Sequence, residues 1–421
     1  MTNHLAHSTF LNGKQITITG SKSETNRLLL LQALFPYLNL ENTSNSDDSE
    51  VMIQALEKSK NSNSNPLHID VHHAGTAMRF LTAFFAIQDG KEVVITGSTR
   101  MQERPIHILV EALNQLGATI TYEKNQGFPP LRIQGIKLTA SQVTLPADVS
   151  SQYISALLLI APSLENGLQL TLEGEITSVP YIKMTLALLN QLGVTTSFEG
   201  NQIVVAPFQI QPANTSSQSI TVESDWSSAS YWYSMIALSK VGTQVTLSSY
   251  HPKSLQGDHV LATLYTKLSV ETEFLADHQI RLTKVAMPPV SHFEANLIGA
   301  PDIAQTIAVT CFGLGISCTL SGLHTLKIKE TDRLKALKNE LTKLGAYVTV
   351  TNEQLTVEAN ATILPSISIQ TYQDHRMAMA FAPLALKVPI TILEAEVVSK
   401  SYPSFWEDLQ QVGIQMQITE K

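Results

Sequence analysis

The chain has 421 residues, a net charge of −8, and apolar residues at 43% against 15% charged. That length exceeds one ordinary hydrophobic core and predicts two domains. An acidic balance without a basic stretch excludes nucleic acid as a partner. No apolar run approaches the roughly 18 residues of a membrane span, and the opening "MTNHLAHSTFLNGKQ" lacks a signal-peptide core, so we expect no membrane association and a cytoplasmic protein. Cys311 and Cys318 fall in one apolar run without a zinc-binding pattern, which predicts buried thiols and no metal site.

In chain order, two kinds of helix alternate. The first kind has a polar head and a body apolar almost all round: "SKSETNR" at 21–27, "HAGTAMR" at 73–79, "SSQYIS" at 150–155, "DWSSAS" at 225–230, "DIAQT" at 302–306 and "QDHRMAM" at 373–379. Bodies of this composition predict six buried helices. The second kind ends in glycine and runs into an alternating strand: "LNQLGATITY" at Gly117, "LNQLGVTTSF" at Gly193, "LTKLGAYVTV" at Gly345 and "LQQVGIQMQI" at Gly413. Gly117 and Gly193 are 76 residues apart, and Gly193 and Gly345 are twice that, 152. The period predicts a degenerate copy at Ser269, where "LYTKLSVETEF" stands, and "MIQALEKSKN" near Lys58 supplies a looser first copy. Polar connectors include "NTSNSDDSE", "KSKNSNSNP" and "QIQPANTSSQSI"; the last separates three copies from three.

The stretch "KIKETDRLKAL" at 327–337 predicts a helix starting near Thr331, with Lys329 and Arg333 in its first turn. Cations beside the positive end of a helix dipole are unfavourable, so an anion should offset them. Six of the eight arginines (Arg27, Arg79, Arg100, Arg104, Arg333 and Arg376) lie in or beside the polar heads and turns. Arginine suits bidentate grip on carboxylate and phosphate, and the clustering predicts oxyanion binding. Each motif alone has an ordinary structural reading: a serine cap, Arg79 on backbone carbonyls, an Arg100 to Glu103 ion pair, Asp225 and Asp302 as helix caps. Repetition in six equivalent places disfavours it. Seven cations (Lys22, Arg27, Arg100, Lys329, Arg333, Arg376 and Lys400) against Asp302 and Glu330 nearly balance the roughly five to six negative charges of two phosphorylated carboxylic acids. We therefore expect a cleft that opens when empty and closes on its ligands.

Ten collinear motifs, "SKSETNRLLL", "HAGTAMRFL", "GSTRMQERPI", "SSQYISALLL", "SVPYIKMT", "SDWSSASYW", "PDIAQTIAV", "KIKETDRL", "YQDHRMAMAF" and "SKSYPSF", resemble the 5-enolpyruvylshikimate-3-phosphate synthase family. The resemblance implies an α/β fold of two similar domains, each of three βαβαββ repeats with buried parallel helices, over residues 1–19 with 224–421 and over 20–223. It implies transfer of an enolpyruvyl group from phosphoenolpyruvate to shikimate 3-phosphate, by addition and elimination, in a monomer without cofactor or metal. It assigns Asp302 as base, Glu330 as proton donor, and Lys22 to the proton traffic between the substrates. Lys22, Ser23, Arg27, Ser150, Ser151, Gln152, Ser178, Tyr181, Asp302 and Lys329 fall at shikimate 3-phosphate. Lys22, Gly75, Arg100, Gln152, Arg333, Arg376 and Lys400 fall at phosphoenolpyruvate. His73, Thr325 and Phe80 depart from the common pattern. The alternatives are an enolpyruvyl transferase acting on UDP-N-acetylglucosamine, disfavoured because neither cysteine lies in the N-terminal half, and a non-catalytic clamp-like repeat protein, which would need no arginine cluster.

Overall fold

The computed structural model describes the chain apart from residues 63, 175, 177–178, 209–216, 360–361 and 421, and apart from the side chain at 328. It divides into two compact units, Met1–Gly20 with Glu223–Lys421, and Ser21–Val222. Each has its own hydrophobic core.

The larger unit holds three four-stranded sheets of one pattern. In the simplest, His292–Asn296 runs parallel to Ser317–Ser321 with Phe293 opposite Cys318. Ala304–Leu314 connects them, and the hairpin of Val348–Val350 and Leu355–Val357 returns antiparallel. The other two sheets borrow a strand from the start of the sequence. Lys14–Ile16 pairs parallel with Gln244–Leu247. Thr2–Leu5 lies between Ile390–Leu393 and Met416–Thr419, antiparallel to both.

The smaller unit repeats the pattern in Leu67–Asp70, Glu92–Thr96, Leu131–Gln134 and Thr119–Tyr122, and again in Gln142–Pro146, Leu168–Glu173, Gln202–Val205 and Thr196–Glu199. Its first repeat departs from the expected six strand-and-helix copies. Gln218–Thr221 pairs with Leu38–Glu41 in a sheet of two strands among the described residues, and the Asp47–Asn61 helix is not followed by a hairpin of its own. The sequence after this helix is "SNSNP", with neither a glycine cap nor alternating apolar residues to form one.

The six predicted apolar helices form and are buried: Lys22–Leu34, Gly75–Ala86, Ser151–Ile160, Trp226–Leu238, Ala304–Leu314 and His375–Phe381. Within each unit the three pack against one another. Buried hydroxyls satisfy each other where the helices meet: Ser230 with Thr306 at 3.0 Å and Thr310 with Ser234 at 2.8 Å. The outer helices end as the glycines predict. Gly117, Gly193, Gly345 and Gly413 all have φ between +88° and +100°. The following amide reaches back five residues, as Ala118 to Leu113 and Ala346 to Leu341, both at 3.0 Å. At the degenerate position Ser269 takes the same left-handed role, φ +60°, after the Tyr265–Leu268 turn.

One boundary differs. The helix expected from Thr331 starts at Arg333, capped by Asp332, whose side chain accepts from Lys335 N at 3.1 Å. An aspartate at the N-cap satisfies an otherwise unpaired amide, so it sets the start two residues later. Lys329 and Glu330 then precede the helix, while Arg333 takes its first position.

Candidate active-site residues

In the larger unit, helix heads and one turn bring charged groups together. Arg333 is 1% exposed and donates in three directions: from Nε to Asp374 at 2.7 Å, from Nη1 to Asp302 at 2.8 Å, and from Nη2 to Glu330 at 2.7 Å. This is the anionic offset that the sequence requires. Asp374 is fully buried, and its second oxygen accepts from Arg376 N at 2.9 Å, so one carboxylate both caps a helix and anchors Arg333. Asp302 sits on the Pro301–Ile303 turn; beyond Arg333 it meets Arg376 Nη2 at 3.3 Å and Lys329 Nζ at 3.7 Å. Arg376 also donates to Ser227 Oγ at 3.2 Å, and Ser227 in turn bonds Asp258. Lys400 ends the Ala395–Lys400 turn.

Burial alone would lower the affinity of Arg333 for its proton, but Asp374, Glu330 and Asp302 reverse the balance and hold it well above the ordinary arginine range. Arg376 is raised in the same way, against burial, chiefly by Asp302. Asp258 is pushed up from 3.8 to about 7 by burial and by the nearby Asp302, and its Oδ1 is buried without a hydrogen-bond partner. Within the larger unit, the sequence count of carboxylates omits Asp374, which pairs with Arg333.

In the smaller unit, Lys22 opens a buried helix with Nζ 3.9 Å from Asp48. Ser23 is half-buried beside it, and its carbonyl accepts from Arg27 at 2.6 Å. Arg27 is 2% exposed; it also donates to Thr185 Oγ1 at 2.8 Å and Ser155 Oγ at 2.9 Å. Its guanidinium carbon lies 5.5 Å from the centre of the Phe80 ring and 5.9 Å from that of Tyr181. Burial lowers Arg27 to about 10, which leaves it a cation at neutral pH. Gln152 follows Ser150 and the buried Ser151, donates its backbone N–H to Ser150 Oγ at 3.4 Å, and donates from Nε2 to Thr76 Oγ1 at 3.1 Å. Gly75 starts the next helix. A Cβ there would stand 2.7 Å from Arg104 Nη1 and 3.0 Å from Arg79 Nη1, so the glycine leaves room for both guanidinium groups. Ser178 lies outside the described residues.

Several ordinary readings also hold. Arg100 is exposed and paired with Glu103 at 3.0 Å, Arg79 bonds the Gly75 carbonyl at 3.0 Å, and Asp225 caps its helix through Ser228 N at 2.8 Å. Sequence reasoning passed over Asp374 and Asp258. For Asp374 a signal exists: all three buried helices of the larger unit are headed by aspartate (Asp225, Asp302 and Asp374), and none of the smaller unit is. Asp258 follows no such head and carries no comparable signal.

The architecture is that of the enolpyruvyl transferases. Superposition covers 100% of this chain and of an EPSP synthase from Acinetobacter baumannii, with TM-score 0.80 at 20% identity, and 99% of this chain and 98% of the enolpyruvyl transferase NikO from Streptomyces tendae, with TM-score 0.73 at 15% identity. Sequence narrows the class. Residues 7–409 match the profile of EPSP synthase (3-phosphoshikimate 1-carboxyvinyltransferase), and the chain belongs to that family. A 3-phosphoshikimate 1-carboxyvinyltransferase of Bacteroides fragilis is 45% identical over 417 residues, covering 96% of this chain and 97% of that one. One from a Sulfurovum species is 35% identical, covering 95% and 96%. Among the described residues, no helix is long and apolar enough to cross a membrane.

Proposed function

We propose that this chain transfers the enolpyruvyl group of phosphoenolpyruvate to the 5-hydroxyl of shikimate 3-phosphate, releasing phosphate. The family match carries the reaction, and the observation that carries its placement on residues is the carboxylate set around Arg333. Addition requires a base at the sugar hydroxyl and an acid at the methylene carbon. As the hydroxyl oxygen bonds to C2 of phosphoenolpyruvate, C3 takes a proton and a tetrahedral ketal forms. Elimination returns that proton and breaks the C2–O bond to phosphate, restoring the double bond.

In this reading Asp302 is the base and Glu330 the acid. Both bond the same buried guanidinium through different nitrogens, which sets the distance and direction between them. A rigid pair of this kind suits a step in which two proton transfers occur on different atoms. Lys329 lies beside Asp302 and serves shikimate 3-phosphate, with Ser23, Arg27, Ser150, Ser151, Ser178 and Tyr181. Arg333, Arg376, Lys400, Arg100 and Gly75 serve phosphoenolpyruvate. Lys22 and Gln152 serve both substrates, and Lys22 also shares the proton traffic. Arg333 keeps further N–H groups beyond the three directed at carboxylates, enough to bind an oxyanion without releasing its partners.

The reading on UDP-N-acetylglucosamine is disfavoured because the relatives compared above are named for 3-phosphoshikimate. The deciding experiment measures phosphate release from phosphoenolpyruvate. Release that requires shikimate 3-phosphate, and is not supported by UDP-N-acetylglucosamine, is expected; the reverse preference would reject this substrate. A cytoplasmic monomer is the state the resemblance implies, and sedimentation at micromolar concentration tests the monomer.

A further inference from the structure

A short turn in the larger unit underlies three of the cations that this reaction uses. Residues 371–373 lead into the His375–Phe381 helix, and Tyr372 and Gln373 both adopt left-handed backbone, φ +55° and +58°. Non-glycine residues enter that region at an energetic cost, and two in succession persist only where neighbouring groups hold them.

Two carboxylates grip the turn. Glu340, on the helix that begins with Arg333, has a fully buried side chain. It accepts from the Tyr372 hydroxyl at 2.6 Å and from the Gln370 amide at 3.1 Å, while Lys343 supplies its counter-charge at 2.6 Å. Glu394 accepts from Thr371 Oγ1 at 3.1 Å and from Gln373 Nε2 at 2.9 Å. It is itself left-handed, φ +50°, and leads directly into the turn that ends at Lys400.

Arg333 and Glu340 are seven residues apart, two turns along one helix face. That face is tied to the 371–374 segment twice: Arg333 holds Asp374, and Glu340 holds Tyr372 and Gln370. We propose that Glu340, Tyr372 and Glu394 are positioning residues for phosphoenolpyruvate, holding this left-handed turn so that Arg333, Arg376 and Lys400 keep one mutual geometry. The inference rests on the reading above that those three cations bind phosphoenolpyruvate. The positioning residues act through the cations and touch no substrate. If the grip loosens, the turn relaxes toward ordinary backbone, Asp374 moves with it, and the guanidinium of Arg333 loses the partner on its Nε.

Steady-state kinetics of Tyr372→Phe, which deletes one hydroxyl, and of Glu394→Ala test this. The KM for phosphoenolpyruvate is expected to rise about 10-fold in each, with the KM for shikimate 3-phosphate changed by less than about 2-fold, because misplaced binding groups lose affinity for the ligand they hold. An unchanged KM for phosphoenolpyruvate in both variants would overturn the proposal. So would a parallel rise in both KM values with a lowered unfolding temperature, the mark of a merely structural role. Glu340→Gln is the stronger perturbation and should show the same split wherever it folds. A wild-type chain that releases no phosphate with both substrates present would reject the reaction itself, whereas an active wild type with unshifted variants rejects only the role of the turn.

Discussion

Arg333 shows how one side chain can order several others. Its three carboxylate partners come from three separate stretches of sequence, and each would lose a close counter-charge without it. Asp302→Asn and Glu330→Gln keep the shape of this arrangement while removing the acid–base function proposed for them. Turnover is expected to fall about 100-fold or more in each, the usual scale for a lost general acid or base, while shikimate 3-phosphate still binds in equilibrium titration; near-normal turnover in either would reject that residue's role. Asp258 permits a test in pH. Its folded value, about 7, lies above the ordinary 3.8. As pH rises between these values the unfolded chain loses the proton and the folded one keeps it, so stability declines across that window and is level above it. Asp258→Asn removes this titration while keeping an oxygen for Ser227. The stability of the variant relative to wild type should therefore increase from about pH 4 to about pH 7 in urea unfolding of the ligand-free protein, with no trend above. A difference independent of pH would show that Asp258 is not protonated in the folded state. At this scale the sequence was only partly legible. The cations stood out by their type and place, but the pairing of Arg333 with Asp374, 41 positions away, depends on how two helices pack.

Elements were far more legible, because their signals are local and repeat. Glycine caps, three of them spaced by multiples of 76 residues, marked the outer helices, and all-round apolar composition marked the buried ones. Ser269 is the instructive case: period alone placed a helix end there, and the backbone is left-handed although the residue is not glycine. The misplaced start of the Arg333–Lys343 helix has a local cause as well, since Asp332 competes successfully with Thr331 for the capping role. The missing hairpin in the first repeat was not foreseen because a regular period suggests six equal copies. Gly117 offers a clean measurement of what its cap contributes. A Cβ would meet nothing within 4 Å, so Gly117→Ala carries only the cost of the left-handed backbone, φ +99°. Destabilisation of about 1–2 kcal/mol is expected, seen as a lower urea midpoint at unchanged slope. A neutral substitution would mean that the helix end relaxes to another conformation.

The described residues form two cores that share no residue, one built from a continuous segment and one from two pieces. Thr2–Leu5 is an interior strand of its sheet, so removing residues 1–6 would leave Ile390–Leu393 and Met416–Thr419 with unpaired edges facing each other. Calorimetry of that truncated chain should show the larger unit destabilised or unfolded while the transition of Ser21–Val222 remains, since independent cores melt separately. Simultaneous loss of both would show that the smaller unit depends on the larger. The placement of Thr2–Leu5 also has a consequence for synthesis. The ribosome makes this strand before Ser21–Val222 and supplies both of the strand's neighbours only from residue 390 onward. At roughly 5–20 residues per second the earliest segment waits about 20–80 s for its partners. The cell must therefore keep these four residues unmated while the whole intervening chain is made, and a stretch made much later locks them into place.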